Sequence, residues 1–157
     1  MKDFQKLWAG QGAHWPDTQI LRTNGFKVVG SSRYKELFDM LKARRFDFFP
    51  RGLHEPWREL DDVKDPTLIV EKKLVIHYPA PGYIFTAKEN QKLADRIERG
   101  FRAAIKDGSF NKLFFNHPTI AKVLELAKLK ERRIFRLKNP LLSPETLLDQ
   151  KELWYNP

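Results

Sequence analysis

Apolar positions recur along this chain in two alternating rhythms, short strand-like runs and longer helix-like stripes. LWAGQ at 7–11 reads as a first strand. Trp15-Pro16-Asp17 opens a helix, because proline suits the first turn and Asp17 complements the positive end of the helix dipole. Ile20 and Leu21 supply its buried side, and Asn24-Gly25 ends it with a left-handed cap. Phe26 to Val29 reads as a second strand. Ser31 or Ser32 caps a helix running through Leu41, with Leu37, Met40 and Leu41 on one face. Phe46 to Phe49 reads as a third strand, stopping at Pro50-Arg51-Gly52. A short helix over His54 to Leu60 follows, with Pro56 in its first turn.

LIVEKKLVIHYP then carries two extended runs, Leu68 to Val70 and Leu74 to Ile76, before Pro79, Pro81 and Gly82 break the pattern. Tyr83 to Ala87 reads as a strand. The strongest helix places Leu93, Ile97, Phe101, Ala104 and Ile105 on one continuous stripe. Asp107-Gly108 stops it, and Ser109 caps a further helix carrying Phe110, Leu113 and Phe114. A helix over about Thr119 to Lys128 and a strand over Arg133 to Leu137 complete the regular structure. The proline-punctuated tail is expected to lie on the surface, pinned by Leu141, Leu142, Trp154 and Tyr155. Alternating strands and helices make the fold class α/β.

Composition narrows the partners. The chain of 157 residues is long enough for a real core, and no apolar stretch reaches the length of a bilayer span. The opening MKDFQKLWAG does not carry the apolar core of a secretory signal. There is no cysteine, which excludes thiolate chemistry. His14, His54, His77 and His117 show no ligand spacing, so no metal or other cofactor is expected. The net charge of +9 raises the question of nucleic acid. Residues 88–138 hold 14 Lys or Arg against 6 Asp or Glu, but these alternate with apolar residues as a solvated helix face does. No recognition helix or RNA-binding motif accompanies them, so no nucleic-acid partner is expected. No Ser/His/Asp arrangement can be argued from spacing, and the chain is read as a non-enzyme with no catalytic residue.

Three stretches belong together. AGQG at 9–12 leads into a helix, and KELFDMLKARRFDFFPRG forms a helix and strand. GYIFTAKENQKLADRIERGFRAAIKDGSFNKLFF forms a strand, a long amphipathic helix and an aromatic-rich helix. In order and spacing they resemble the extracytoplasmic solute-binding proteins of ABC transporters, the amino-acid-binding type with the type 2 periplasmic-binding fold. The resemblance covers about residues 7–117. It implies a periplasmic module that recognises a small polar solute, anionic or zwitterionic and amino-acid-like, for uptake or sensing, with the membrane subunits of an ABC transporter as partners. It further implies that residues 1–78 form the second lobe, and that 79–157 hold the hinge return, the C-terminal part of the first lobe and a tail. The opening strands of the first lobe have no counterpart here. The uncovered helix stripe therefore leads to the expectation of a homodimer. The alternative is a truncated fragment that no longer serves transport and acts through protein contacts.

The resemblance also singles out ligand-binding positions. Arg51, beside Gly52, lies beyond a strand end where ligands of open α/β sheets bind, and its guanidinium fork suits an anion. A solvated arginine, or one paired with Glu55 or Glu59, reads equally well. Amino-acid-binding members carry an aspartate at this point, which is absent here. Gly10, Gln11 and Gly12 are candidates for backbone contact with an anion at a helix N-terminus, or for a plain tight turn, with His14 beside them. Tyr78 and Tyr83 flank the break, lining a cleft or packing within a hinge.

Overall fold

The computed structural model describes residues 2–157. Strand β1 (Trp8–Gly12) and strand β2 (Lys27–Ser31) pair in parallel, from Trp8 opposite Lys27 to Gly12 opposite Ser31. Helix α1 (Pro16–Thr23) joins them. Pro16 occupies its first turn, and Gly25, at φ +82°, turns the chain into β2. The strand beginning in the Phe46–Phe49 run is reduced to one parallel bridge between Ala9 and Phe48. Gly10 N–H donates to the Phe48 carbonyl at 2.8 Å, and Asp47 N–H to the Trp8 carbonyl at 2.9 Å. Pro50 has no N–H to extend that ladder, and its carbonyl instead accepts from the Gln11 side chain at 3.3 Å.

Helix α2 (Tyr34–Lys42) follows β2 and buries Leu37 and Phe38. No side chain caps it. The Ser31 hydroxyl accepts from Arg33 N–H just before the helix begins. Helix α3 (Pro56–Val63) starts two residues later than the pattern predicts. A second parallel pair joins β3 (Leu74–His77) to β4 (Arg133–Arg136), with Leu74 opposite Arg133. The run Leu68 to Val70 forms no strand, since among the described residues no ladder partner lies beside it. A turn at Pro66-Thr67 leads into it, with Thr67 N–H and Leu68 N–H on Asp65 at 2.9 and 3.2 Å.

Residues up to Pro79 together with 127–143 form one unit of the chain. Residues 127–143, which the sequence division placed after the break, thus return to the first unit. Its core gathers Ala9, Leu21, Phe26 and Leu137, with Phe4, Val28, Phe48, Ile76 and Tyr78 against them. The Phe4 ring meets Phe26, Phe48 and Phe135 at centroid distances of 5.3, 4.9 and 5.2 Å. Asn24 ties the ends of α1 and β4 together, donating to the Ile20 and Lys138 carbonyls at 2.8 and 2.7 Å and accepting from Lys138 N–H.

Residues 80–126 and 144–157 form the other unit. It is built on helices α4 (Gln91–Lys106), α5 (Ser109–Asn116) and α6 (Pro118–Ala127), the last ending where the chain re-enters the first unit. The Asn90 side chain caps α4 by accepting from Leu93 N–H. Gly108, at φ +80°, makes the corner into α5, and the Asp107 carboxylate, not the Ser109 hydroxyl, binds Ser109 N–H. The Ser109 side chain first, and that N–H bond second, hold the Asp107 carboxyl below its ordinary range. The Tyr83 to Ala87 run is not a strand, since among the described residues no ladder partner lies beside it. Tyr83, Ile84 and Phe85 stand 61, 58 and 89% exposed. Tail residues do pack here, with the Tyr155 ring 6.1 Å from Phe115 and Trp154 Nε1–H on the Leu147 carbonyl, yet Leu93 and Phe101 remain exposed.

Candidate functional site

Because β1, β2 and the Phe48 bridge run parallel, their carboxyl ends open on one edge of the sheet. The residues just beyond those ends are Trp15, Tyr34 and Arg51. The Arg51 guanidinium carbon lies 4.9 Å from the Trp15 ring centre, 5.0 Å from Phe49 and 5.4 Å from Tyr34, within cation–π range of all three. Glu55, at the N-cap of helix α3, and Glu59, within it, bring two carboxylates to it. Glu59 accepts from Nε at 2.9 Å and from Nη2 at 2.6 Å, and Glu55 accepts from Nη2 at 2.8 Å. Tyr34 donates its hydroxyl to Glu59 at 2.6 Å. Gly52 N–H donates to Glu55 at 2.6 Å.

Burial works against the Arg51 charge, but the hydrogen bonds and charges of Glu59 and then Glu55 outweigh it and hold the guanidinium ionised. The Tyr34 phenol is pushed up to about 12, first by burial and then by its bond to Glu59. One arginine against two glutamates leaves the cluster a formal charge of −1. Its chemistry is therefore two-sided: carboxylate oxygens and ring faces for a cation, and the guanidinium nitrogen Nη1, outside the contacts to Glu55 and Glu59, for an anion.

Arg51 is thus the paired arginine of the sequence reading and not an unengaged fork. Gly10, Gln11 and Gly12 lie within β1, before the turn, and their surroundings are those of packing. A β-carbon at Gly10 would fall 2.1 Å from the Phe46 ring, and one at Gly12 2.3 Å from the Trp15 ring. Gly12 N–H meets the Gln11 side-chain oxygen at 3.2 Å, and the Gly12 carbonyl accepts from Thr18 at 2.7 Å. Gln11, 2% exposed, links the end of β1 to Pro50. His14 is exposed and borders a shallow depression with Gln19, Arg22 and Leu141. Tyr78 packs on the core and donates its hydroxyl to Asp17; burial first and that bond second raise its phenol, and the Glu55 charge reaches it as well. Tyr83 lies in the other unit. Tyr34, Trp15 and Phe49 escaped the sequence reading as site residues. The spacing of Glu55 and Glu59 four and eight residues after Arg51 was the available signal.

Beside the cluster the first unit holds a cavity of about 690 Å³. Phe48, Leu53, Trp57 and Ile76 line it, with Arg44 and Lys42 among its charged residues. Among the described residues no three His, Asp or Glu side chains are grouped as metal ligands. Comparison of the chain with family models, curated proteins and solved structures returned no match, so the likeness to solute-binding proteins rests on the sequence motifs alone.

Proposed function

We propose that the chain is a solute-recognition module of the type 2 periplasmic-binding kind, holding a small zwitterion of the amino-acid class at the carboxyl edge of its parallel sheet. The observation that carries this is the Arg51 guanidinium stacked among Trp15, Phe49 and Tyr34 and met by Glu55 and Glu59. The family's aspartate is missing after the strand, but Glu55 and Glu59 bring carboxylates to the same edge from the N-cap and first turn of α3. A ligand ammonium suits the excess carboxylate, and a ligand carboxylate suits Arg51 Nη1. Titration of a panel of α-amino acids, dicarboxylates and amines tests the reading. A ligand at a hundred times its Kd stabilises the native state by about 2.7 kcal/mol, which raises Tm by roughly 5–10 °C in a domain of this size. Glu55→Gln removes one charge at constant shape and is expected to weaken amino acids more than dicarboxylates. A panel in which nothing binds refutes the proposal.

A second reading, action through protein contacts as a homodimer, is favoured by the other unit. No residue of α4 or α5 is buried, and Tyr83, Ile84 and Phe85 are exposed together. Contiguous apolar surface of this kind marks interfaces more often than free surface.

A further inference from the structure

The cavity of about 690 Å³ in the first unit falls within the size range of small-molecule sites. Its walls are mainly apolar, and its charged residues are unequal. Lys42 pairs with Asp39 at 2.7 Å, and Asp47 accepts from Trp8 N–H at 2.7 Å. Arg51 is held by Glu55 and Glu59. Glu71 accepts from Lys73 N–H at 2.8 Å, and Arg132 donates to the Ala127, Glu71 and Leu74 carbonyls. Arg44 alone has no side-chain partner among the described residues.

Its backbone is equally unusual. Helix α2 closes with Arg45 N–H on the Met40 carbonyl and Arg44 N–H on the Leu41 carbonyl, both at 2.9 Å. In that closure the left-handed position belongs by default to glycine, yet Arg44 occupies it at φ +53°. A side chain there is strained against its own carbonyl. Lys64 and Lys128 take the same conformation at other helix ends, but neither borders the cavity.

We propose that this cavity binds an aryl carboxylate, its ring lodged against Phe48, Leu53 and Trp57 and its carboxylate on Arg44. The cavity adjoins the Arg51 cluster, since Phe49 and Arg51 also line it. Arg51 is engaged by Glu55 and Glu59, so the anion falls to Arg44, and this ligand lacks the ammonium group that the cluster's ligand requires. The test uses naphthylacetate and its neutral amide, titrated calorimetrically into the wild-type chain and into Arg44→Gly. The carboxylate is expected to bind, and the amide to bind about tenfold more weakly, as loss of a charge-assisted hydrogen bond implies. Arg44→Gly is expected to weaken the carboxylate by about the same factor while relieving the strained φ, so that Tm rises by about 2–4 °C. Affinity and stability then move in opposite directions, which a merely structural arginine would not produce. No binding of naphthylacetate, equal affinity for the amide, or unchanged affinity in Arg44→Gly overturns the proposal. Amino-acid binding, titrated into the same Arg44→Gly variant, is expected to match the wild type, because among the described residues Arg44 makes no contact with Glu55 or Glu59, so the two proposals fail or stand separately.

Discussion

Replacing Gly10 by alanine separates a packing glycine from a ligand-contacting one. Gly10 sits in β1 with its N–H already bonded to the Phe48 carbonyl, so the substitution removes no hydrogen bond. What changes is space. The added methyl would lie 2.1 Å from Phe46 Cζ and 2.4 Å from both Cε atoms, well inside contact distance on three ring atoms at once. Two relaxations are open. If the backbone and ring shift while the core stays closed, the overpacking costs about 1–3 kcal/mol. If the ring leaves instead, Phe46, only 3% exposed, gives up a buried side chain worth about 1.5–3 kcal/mol. Both routes lead to the same range, and Tm is expected to fall by roughly 2–12 °C. Urea unfolding measures it: the midpoint falls while the slope stays near the wild-type value, since the native fold is kept. In the Gly10→Ala background, Phe46→Leu should be neutral or stabilising, although the same change alone is destabilising. That reversal is the coupling expected of two groups competing for one volume. An unchanged midpoint in Gly10→Ala, or additive effects in the double variant, refutes the packing argument.

Three further outcomes follow from the same contacts. Asn24→Ala removes the side-chain bonds to the Ile20 and Lys138 carbonyls and to Lys138 N–H, and is expected to lower stability by about 1–3 kcal/mol in chemical denaturation. Tyr34 has a phenol raised from 10 to about 12 in the folded chain, so its contribution is complete below pH 10 and is lost as pH rises towards 12. Thermal melts across that window are expected to show a smaller decline in Tyr34→Phe than in the wild type, and equal slopes would remove Tyr34 from the cluster's energetics. Light scattering at micromolar concentration should report a dimer, with Phe85→Ser shifting it towards monomer; a monomeric wild type with a sharp, cooperative melt would sink the homodimer reading.

Local chemistry in the sequence determined most of the helices and one strand pairing's ingredients. Pro16, Gly25 and Gly108 each act on the backbone within a few residues, through a fixed φ or a permitted left-handed turn, so they are readable without a partner, whereas the Asn90 cap of α4 emerged only in the structure. Strands are another matter, because a strand exists only where a second one accepts its hydrogen bonds. Phe46–Phe49, Leu68–Val70 and Tyr83–Ala87 have comparable apolar runs, yet only the first finds even a single bridge. The glycines of AGQG show the same divide: their presence is written in the sequence, but that Phe46 and Trp15 fill the space a β-carbon would need was decided across 36 residues in one case and within a turn in the other. Arg51 beyond a strand end was legible as a charge near a site. Only the packing of α3 against that end set two glutamates on it and three rings around it, because ion pairs and ring contacts depend on distances in space that sequence separation does not encode.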